Sequence, residues 1–470
     1  MDDNRKFGPV ALAAGLAGFL AVLAFATAVP QAARHALAVM VLMAVWWVTE
    51  AVPIHWTALV PLVAYPLFPI GSRGAAGTLL DTAVSYVDPN IFLFMGGMFL
   101  GVAMETHGLH RRIALNIMRL VGANRFVLGF LLATAFVSLW ISNTATAVMM
   151  LPIGLAVYRE LERRAGRSFP QLGQALMLAI AYGSNIGGIG TKIGTPPNAQ
   201  FAGFMAKRFG VEVSFLDFMM IGLPFVVMFL PLAYFALWLL SRKEKPPDVA
   251  AEVLGSELAA LGRMSVPEKR TAILFLLACA LWICSRPLRG LVGYAGDLDP
   301  IIAMGVAALL FVTRVLGWAS FRKMPWSVLV LLGGSFALAY SVKMSGLAAW
   351  GVQQLAGVGA LPPLTALLLV SATTVLLTAF ASNTATAQLM LELTATAFVQ
   401  SRMGPLGLLS AVTLSASCDF ALPAGTPPNA IVFGSGLVRL PVMAGTGVAL
   451  DVLAAVMVAL WCYYGLPHLF

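Results

Sequence analysis

The residues with the most chemistry to offer are neutral, and they come in pairs. Ser142, Asn143, Thr144, Ala145, Thr146 and Ala147 return in the same order as Ser382, Asn383, Thr384, Ala385, Thr386 and Ala387. Gly194, Thr195, Pro196, Pro197, Asn198 and Ala199 return as Gly425, Thr426, Pro427, Pro428, Asn429 and Ala430. Hydroxyls and amides supply donors for an anion and oxygens for a hard cation, without a full charge at each contact. Ser, Asn and Thr are poor helix formers and Pro-Pro removes two backbone donors, so each motif breaks the helix that carries it. A helix restarting after Thr144 or Thr384 points free N–H groups and a positive dipole end into the gap. One that stops before Ser142 or Ser382 offers carbonyl oxygens to a cation. A single Ser-Asn-Thr would read as hydrogen-bond glue between membrane helices. Two copies, each followed by a Gly-Thr-Pro-Pro-Asn break, read as a binding site.

Such breaks need a body that encloses them. Of 470 residues, 60% are hydrophobic and 10% charged, with a mean hydropathy of +0.89. Soluble chains carry roughly 45–50% apolar and about 25% charged residues, so most of this surface faces lipid. Apolar stretches of about 20 residues recur from Pro9 to Leu466, too many for one signal peptide. The first, 10–29, follows Arg5 and Lys6 and reads as a retained span. The net charge of +9 reads as positive cytoplasmic loops rather than a nucleic-acid surface. The cysteines and histidines lack ligand spacing, so neither zinc nor a disulfide framework is expected. No zinc-protease, nucleophile-elbow or Walker A run points to an enzyme or an ATP-driven pump.

The paired motifs divide the chain. We expect an N-terminal span in 1–35, a first repeat in 36–240, a cytoplasmic linker in 241–270 and a second repeat in 271–470. In the first repeat, spans fall near 36–54, 56–70 and 91–107, then hairpin arms at 126–141 and 145–158. A broken helix follows at 172–207, and a full span at 217–240. The second runs 271–285, 300–318 and 326–342, with arms at 364–381 and 385–399, a break around Gly425 and a last span at 441–464. The first repeat's arms, at about 14–16 residues, are short for a full crossing and fit re-entrant hairpins that stop near mid-membrane. The fold expected is an all-α polytopic membrane protein of about 11 transmembrane helices plus two re-entrant helical hairpins.

Basic residues orient it. With the N-terminus cytoplasmic, the loops of Arg111, Arg112, Arg119, Arg125, Arg159, Arg163, Arg164, Arg167, Arg242, Lys243, Lys245, Lys269, Arg270, Arg322, Lys323 and Arg439 fall inside. Outside remain Arg34, Arg73, Lys207, Arg208, Arg286, Arg289, Lys343 and Arg402. The bias holds only if each hairpin returns to its side of entry. Each repeat then crosses an odd number of times, so the two are inverted, with the C-terminus outside.

These residues resemble the divalent anion/sodium symporter family of dicarboxylate, citrate and sulfate carriers. The resemblance rests on both Ser-Asn-Thr tips and both Thr-Pro-Pro-Asn segments. Trp46-Trp47-Val48-Thr49-Glu50-Ala51-Val52-Pro53 and Phe92-Leu93-Phe94-Met95-Gly96-Gly97 also look like that family's early segments. It implies at least two co-transported Na+ ions. One site would use Ser138, Ser142, Asn143 and the Gly194 carbonyl, the other Thr378, Ala381, Ser382, Asn383 and Gly425. Substrate carboxylates would meet Asn143, Thr144 and Thr195 on one side and Ser382, Asn383, Thr384 and Thr426 on the other, with Pro427 in the wall. The family further implies a plasma-membrane homodimer whose hairpins and broken helices move as an elevator against a fixed scaffold. The cargo expected is a small anion, a C4 dicarboxylate such as succinate, malate or fumarate carried with sodium. An electroneutral dicarboxylate exchanger, or a sulfate, citrate or tartrate carrier, is the alternative.

Two charges depart from the pattern. Lys192 lies two residues before Gly194, and Asp419 six before Gly425. A charge near mid-membrane costs about 2.5–3.5 kcal/mol on insertion scales. Lys192 is read as a substrate contact, a stand-in for a cation, or the partner of an acid, and for the last a Lys192–Asp419 ion pair is expected.

Overall fold

A computed structural model describes residues 8–70, 74–122, 125–244, 250–354, 361–398 and 403–469. Arg5, Lys6, Arg73, Lys245 and Arg402, used above to orient the chain, lie outside these residues, as does the end of the 385–399 arm. All regular structure among the described residues is helical. That is the outcome for an apolar chain in lipid, where every backbone group must be satisfied within its own segment.

Six described helices are long and apolar enough to cross a bilayer alone: Gly8–Phe25, Gln31–Thr49, Leu79–Thr106, Phe215–Ser241, Trp326–Met344 and Leu440–His468. Val266–Ile283 and Ser285–Val292, bent by 73°, make a seventh if taken together. Large apolar side chains face outward along them, among them Val227, Phe235 and Trp238 on one helix and Val448, Val452 and Val456 on another. In water this surface would be untenable; in lipid it is the contact face. The N-terminal pair closes tightly because Gly15 leaves room for Trp46. A Cβ there would fall 2.4 Å from the indole nitrogen, which donates to Leu12 O at 3.3 Å.

Three segments differ from expectation. The 56–70 span is split into Ile54–Thr57 and Val60–Leu67, since Pro53, Pro61 and Pro66 deny it continuous backbone bonding. Residues 109–121, read as a basic loop, form the amphipathic helix Leu109–Val121, burying Leu109, Ala114, Leu115 and Met118. The polar linker contains a helix too, Ala250–Leu261. Arg164 pairs with Glu252 and Arg111 with Glu257. Arg112 binds Glu268 through two bonds of 2.5 and 3.2 Å and the Gly262 carbonyl at 3.1 Å. The linker is thus fastened to the amphipathic helix and the first hairpin.

The hairpins are as the motifs require. Phe126–Ser138 runs in and Asn143–Ala165 runs out; the second pair is Pro363–Thr378 and Asn383–Ala397. The outgoing arm of the first is longer than expected, 23 residues, because the helix continues through its polar end to the left-handed Gly166 cap. The broken helices are Pro170–Gly188 with Pro196–Phe209, and Pro405–Ala416 with Pro427–Phe433.

Candidate functional site

Each tip is built on one extended serine. Ser142 (φ −54°, ψ 143°) caps Asn143–Ala165, its hydroxyl accepting the Ala145 N–H at 3.3 Å. Ser382 has the same conformation (φ −54°, ψ 132°) before Asn383–Ala397. Behind each tip stands a buried hydroxyl. Ser138 Oγ lies 2.7 Å from Ser184 O and 2.9 Å from Asn143 Oδ1. Thr378 Oγ1 lies 2.8 Å from Ala416 O and 2.9 Å from Asn383 Oδ1. A hydroxyl has one hydrogen, so it donates to only one of these acceptors at a time. Each tip therefore gathers more oxygens than hydrogens, an arrangement that suits a hard cation.

Each break is held by an asparagine. Asn198 Nδ2 donates to Gly188 O at 2.9 Å and Thr191 O at 2.7 Å. Asn429 Nδ2 donates to Asp419 O at 3.2 Å and Leu422 O at 3.0 Å. In both copies the acceptors lie ten and seven residues before the amide. The carbonyls freed by unwinding are thus capped by a side chain, as a helix end buried in protein requires. Thr195 and Thr426 are extended (φ −147° and −135°) and precede Pro-Pro, whose missing N–H groups are no loss in a first turn. Thr191 Oγ1 donates to Leu139 O at 2.5 Å, fastening the first break to the first tip.

The two halves meet through these breaks. Pro427–Phe433, after the second break, packs on Asn143–Ala165 and Pro170–Gly188 of the first half. Reciprocally, Pro196–Phe209 packs on Asn383–Ala397 and Pro405–Ala416. Asn185 links them, its amide 3.0 Å from Asp419 O, 3.1 Å from Thr426 Oγ1 and 3.2 Å from Asn429 Oδ1.

The expected site residues divide by burial. Ser138, Thr378, Ala381, Thr195, Thr384 and Thr426 are buried, as are Gly194 and Gly425. Asn143, Ser382 and Asn383 are half-buried, and Ser142, Thr144 and Pro427 exposed. Firm structure thus stands behind the tips, with open side chains in front.

The Lys192–Asp419 ion pair does not exist. Lys192 is 1% exposed and faces two other acids, Asp297 Oδ2 at 3.6 Å and Asp299 Oδ2 at 3.9 Å. Its ammonium also donates to Val213 O at 2.7 Å. Asp299 accepts the Phe215 N–H at 2.5 Å. A buried ammonium takes the nearest carboxylates its chain can reach, and these begin the Asp299–Val312 helix. Asp419 is fully buried, and among the described residues neither of its oxygens has a hydrogen-bond partner.

Helices broken inside protein, paired across two halves of an apolar helical body, define a membrane transporter. The chain belongs to the sodium:sulfate symporter family, whose transmembrane-region profile matches residues 9–467. It is a transporter and not an enzyme. The sodium-dependent dicarboxylate transporter SdcS of Staphylococcus saprophyticus is 38% identical over 450 residues, 92% of this chain and 86% of that relative. SdcS of Staphylococcus aureus strain USA300 is 36% identical over 457 residues, 93% of this chain and 87% of that one. In fold the chain resembles the Alcanivorax borkumensis YdaH transporter, with a TM-score of 0.51 and 15% identity over 83% of this chain and 88% of that. Neisseria gonorrhoeae MtrF gives a TM-score of 0.53 and 15% identity over 95% and 98%.

Proposed function

We propose that the protein is a sodium-coupled symporter that imports a di- or tricarboxylate, with C4 dicarboxylates such as succinate as preferred cargo. The observation that carries this is the doubled oxygen cluster, Ser138 with Asn143 and Thr378 with Asn383, each short of hydrogens. The two SdcS relatives, named for sodium-dependent dicarboxylate transport, support the same cargo.

In this reading one sodium is held by Ser138, Ser142, Asn143 and the Gly194 carbonyl. A second is held by Thr378, Ala381, Ser382, Asn383 and Gly425. The dianion lies between Asn143, Thr144 and Thr195 and Ser382, Asn383, Thr384 and Thr426, against Pro427. The N–H groups that begin Asn143–Ala165 and Asn383–Ala397 face its carboxylates from opposite sides. Two sodium ions neutralise a dianion before it enters a low-dielectric path. A third would make the cycle electrogenic, with about 2.3 kcal/mol per charge per 100 mV available.

The two halves, 36–240 and 271–470, are read as inverted repeats in about 11 spans and two re-entrant hairpins. The matching hydrogen-bond offsets in both breaks support the duplication. The protein would sit in the plasma membrane as a homodimer, N-terminus inside and C-terminus outside, its hairpins and breaks moving as an elevator. Lys192 gives no support to the exchanger alternative, because two aspartates occupy its charge. Sulfate, citrate and tartrate are the competing cargoes.

The test is succinate uptake into proteoliposomes under an inward sodium gradient. Sodium should drive accumulation and choline should not. Uptake equal in choline would sink sodium coupling, and uptake requiring internal succinate would identify an exchanger instead.

A further inference from the structure

We propose that the Asp419 carboxylate is a direct ligand of the cation at the second tip. That site would then hold a charged oxygen which the first tip lacks. The inference rests on the reading of the tips as sodium sites and adds a residue to one of them.

Position comes first. Counting back ten residues from the clamping asparagines, Gly188 and Asp419 are equivalents, each giving its carbonyl to the amide of Asn198 or Asn429. At Gly188 a Cβ would fall 2.3 Å from Asn143 Oδ1. Any side chain there would point onto the tip amide, so the first half has none. The second half carries an acid at the same place. Its preceding helix ends at Ala416, three residues before Asp419, whereas the first runs to Gly188 itself. The earlier unwinding gives the acid room.

Contact comes second. The carboxylate lies flat against Gly425, where a Cβ would fall 1.8 Å from Asp419 Oδ2 and 2.6 Å from Oδ1. Gly425 is one of the residues assigned above to the second sodium. Asp419's own carbonyl is fixed by two amides, Asn185 at 3.0 Å and Asn429 at 3.2 Å, so the side chain is presented from an anchored point.

Chemistry comes third. Asp419 is fully buried, and among the described residues neither oxygen accepts or donates a hydrogen bond. The charged group acting on it is Asp451, of the same sign. Asp451 is satisfied differently, accepting the Phe420 N–H at 3.0 Å. Lys192, the intramembrane cation of the other break, is engaged by Asp297 and Asp299. A carboxylate with no donor and a like-charged neighbour lacks its counter-charge. A small hard cation beside Gly425 and the Thr378–Asn383 oxygens supplies the missing partner. This fixed charge travels with the carrier in both directions. It therefore leaves the net charge moved per cycle unchanged.

The experiment is thermal unfolding of the purified full-length protein titrated with sodium at constant ionic strength in choline, without substrate. Asp419→Asn should unfold at higher temperature than the wild type in choline, because the unpaired carboxylate is gone. It should also need at least tenfold more sodium for half of the wild-type stabilisation. Asp419→Ala should lose the sodium response likewise, and Asp419→Glu should regain part of it. A role confined to packing would lower the melting temperature and leave the sodium midpoint unmoved. That result with Asp419→Asn, alongside a weakened response in Thr378→Val, overturns the role of Asp419 and leaves the tip site standing. A wild type that sodium does not stabilise over choline overturns both.

Discussion

The side-chain amide of Asn185, in the helix that leads into the first break, stands 3.1 Å from the hydroxyl of Thr426 in the second break. It is also within bonding distance of Asp419 O and Asn429 Oδ1. One amide therefore registers the two broken helices against each other. Replacing it with alanine strands buried acceptors at about 1–3 kcal/mol. We expect Asn185→Ala to lower the melting temperature by several degrees and succinate uptake by more than tenfold. Unchanged uptake would show that the two breaks are positioned independently.

Lys192 makes a separate prediction. Its removal leaves Asp297 and Asp299 facing each other without a cation, which costs about 3–5 kcal/mol when a buried pair loses one member. Lys192→Met should be strongly destabilised, and adding Asp299→Asn should recover part of the loss. Adding Asp419→Asn should not restore the Lys192 defect. Coupling of Lys192 to Asp419 beyond additivity, measured by a double-mutant cycle in melting temperature, would contradict the observed pairing.

The hydroxyls behind the tips can be removed with little change of shape. Ser138→Ala and Thr378→Val should each raise the sodium needed for half-maximal uptake about tenfold, equivalent to about 1.4 kcal/mol. Maximal uptake at saturating sodium should fall less. A change in succinate affinity with the sodium dependence intact would assign these hydroxyls to the substrate instead.

Two neighbouring glycines should behave differently. A Cβ on Gly187 would lie 2.1 Å from the Ala135 carbonyl, so Gly187→Ala should impair folding, since backbone must move. A Cβ on Gly188 would meet the Asn143 amide at 2.3 Å, and an amide can swing away. Gly188→Ala should therefore fold, as judged by gel filtration, and yet lose sodium-stimulated uptake.

Much of this was legible because the chain repeats itself. The tips and breaks stand out as polar sextets in apolar sequence, and their helices begin directly after Ser142, Ser382, Thr195 and Thr426. Whatever the repeat does not share is not legible in this way. Asn185 has Ala416 as its counterpart, so comparison of the halves hides it, although an amide in an apolar helix is itself a signal. Lys192 was paired with the acid in the matching segment, but sequence symmetry relates positions, not contacts. Its partners lie more than a hundred residues on, at a helix start with no local sign of them. Leu109–Val121 was masked by its arginines, although its buried positions fall at helical spacing.

Equilibrium binding of labelled succinate to the purified protein, titrated with sodium, bears most directly on whether both tips grip one dianion with sodium. Binding should rise cooperatively with sodium, be absent in choline, and be lost in both Thr144→Val and Thr384→Val. Succinate bound equally in choline, or retained when both threonines are replaced together, would contradict the account.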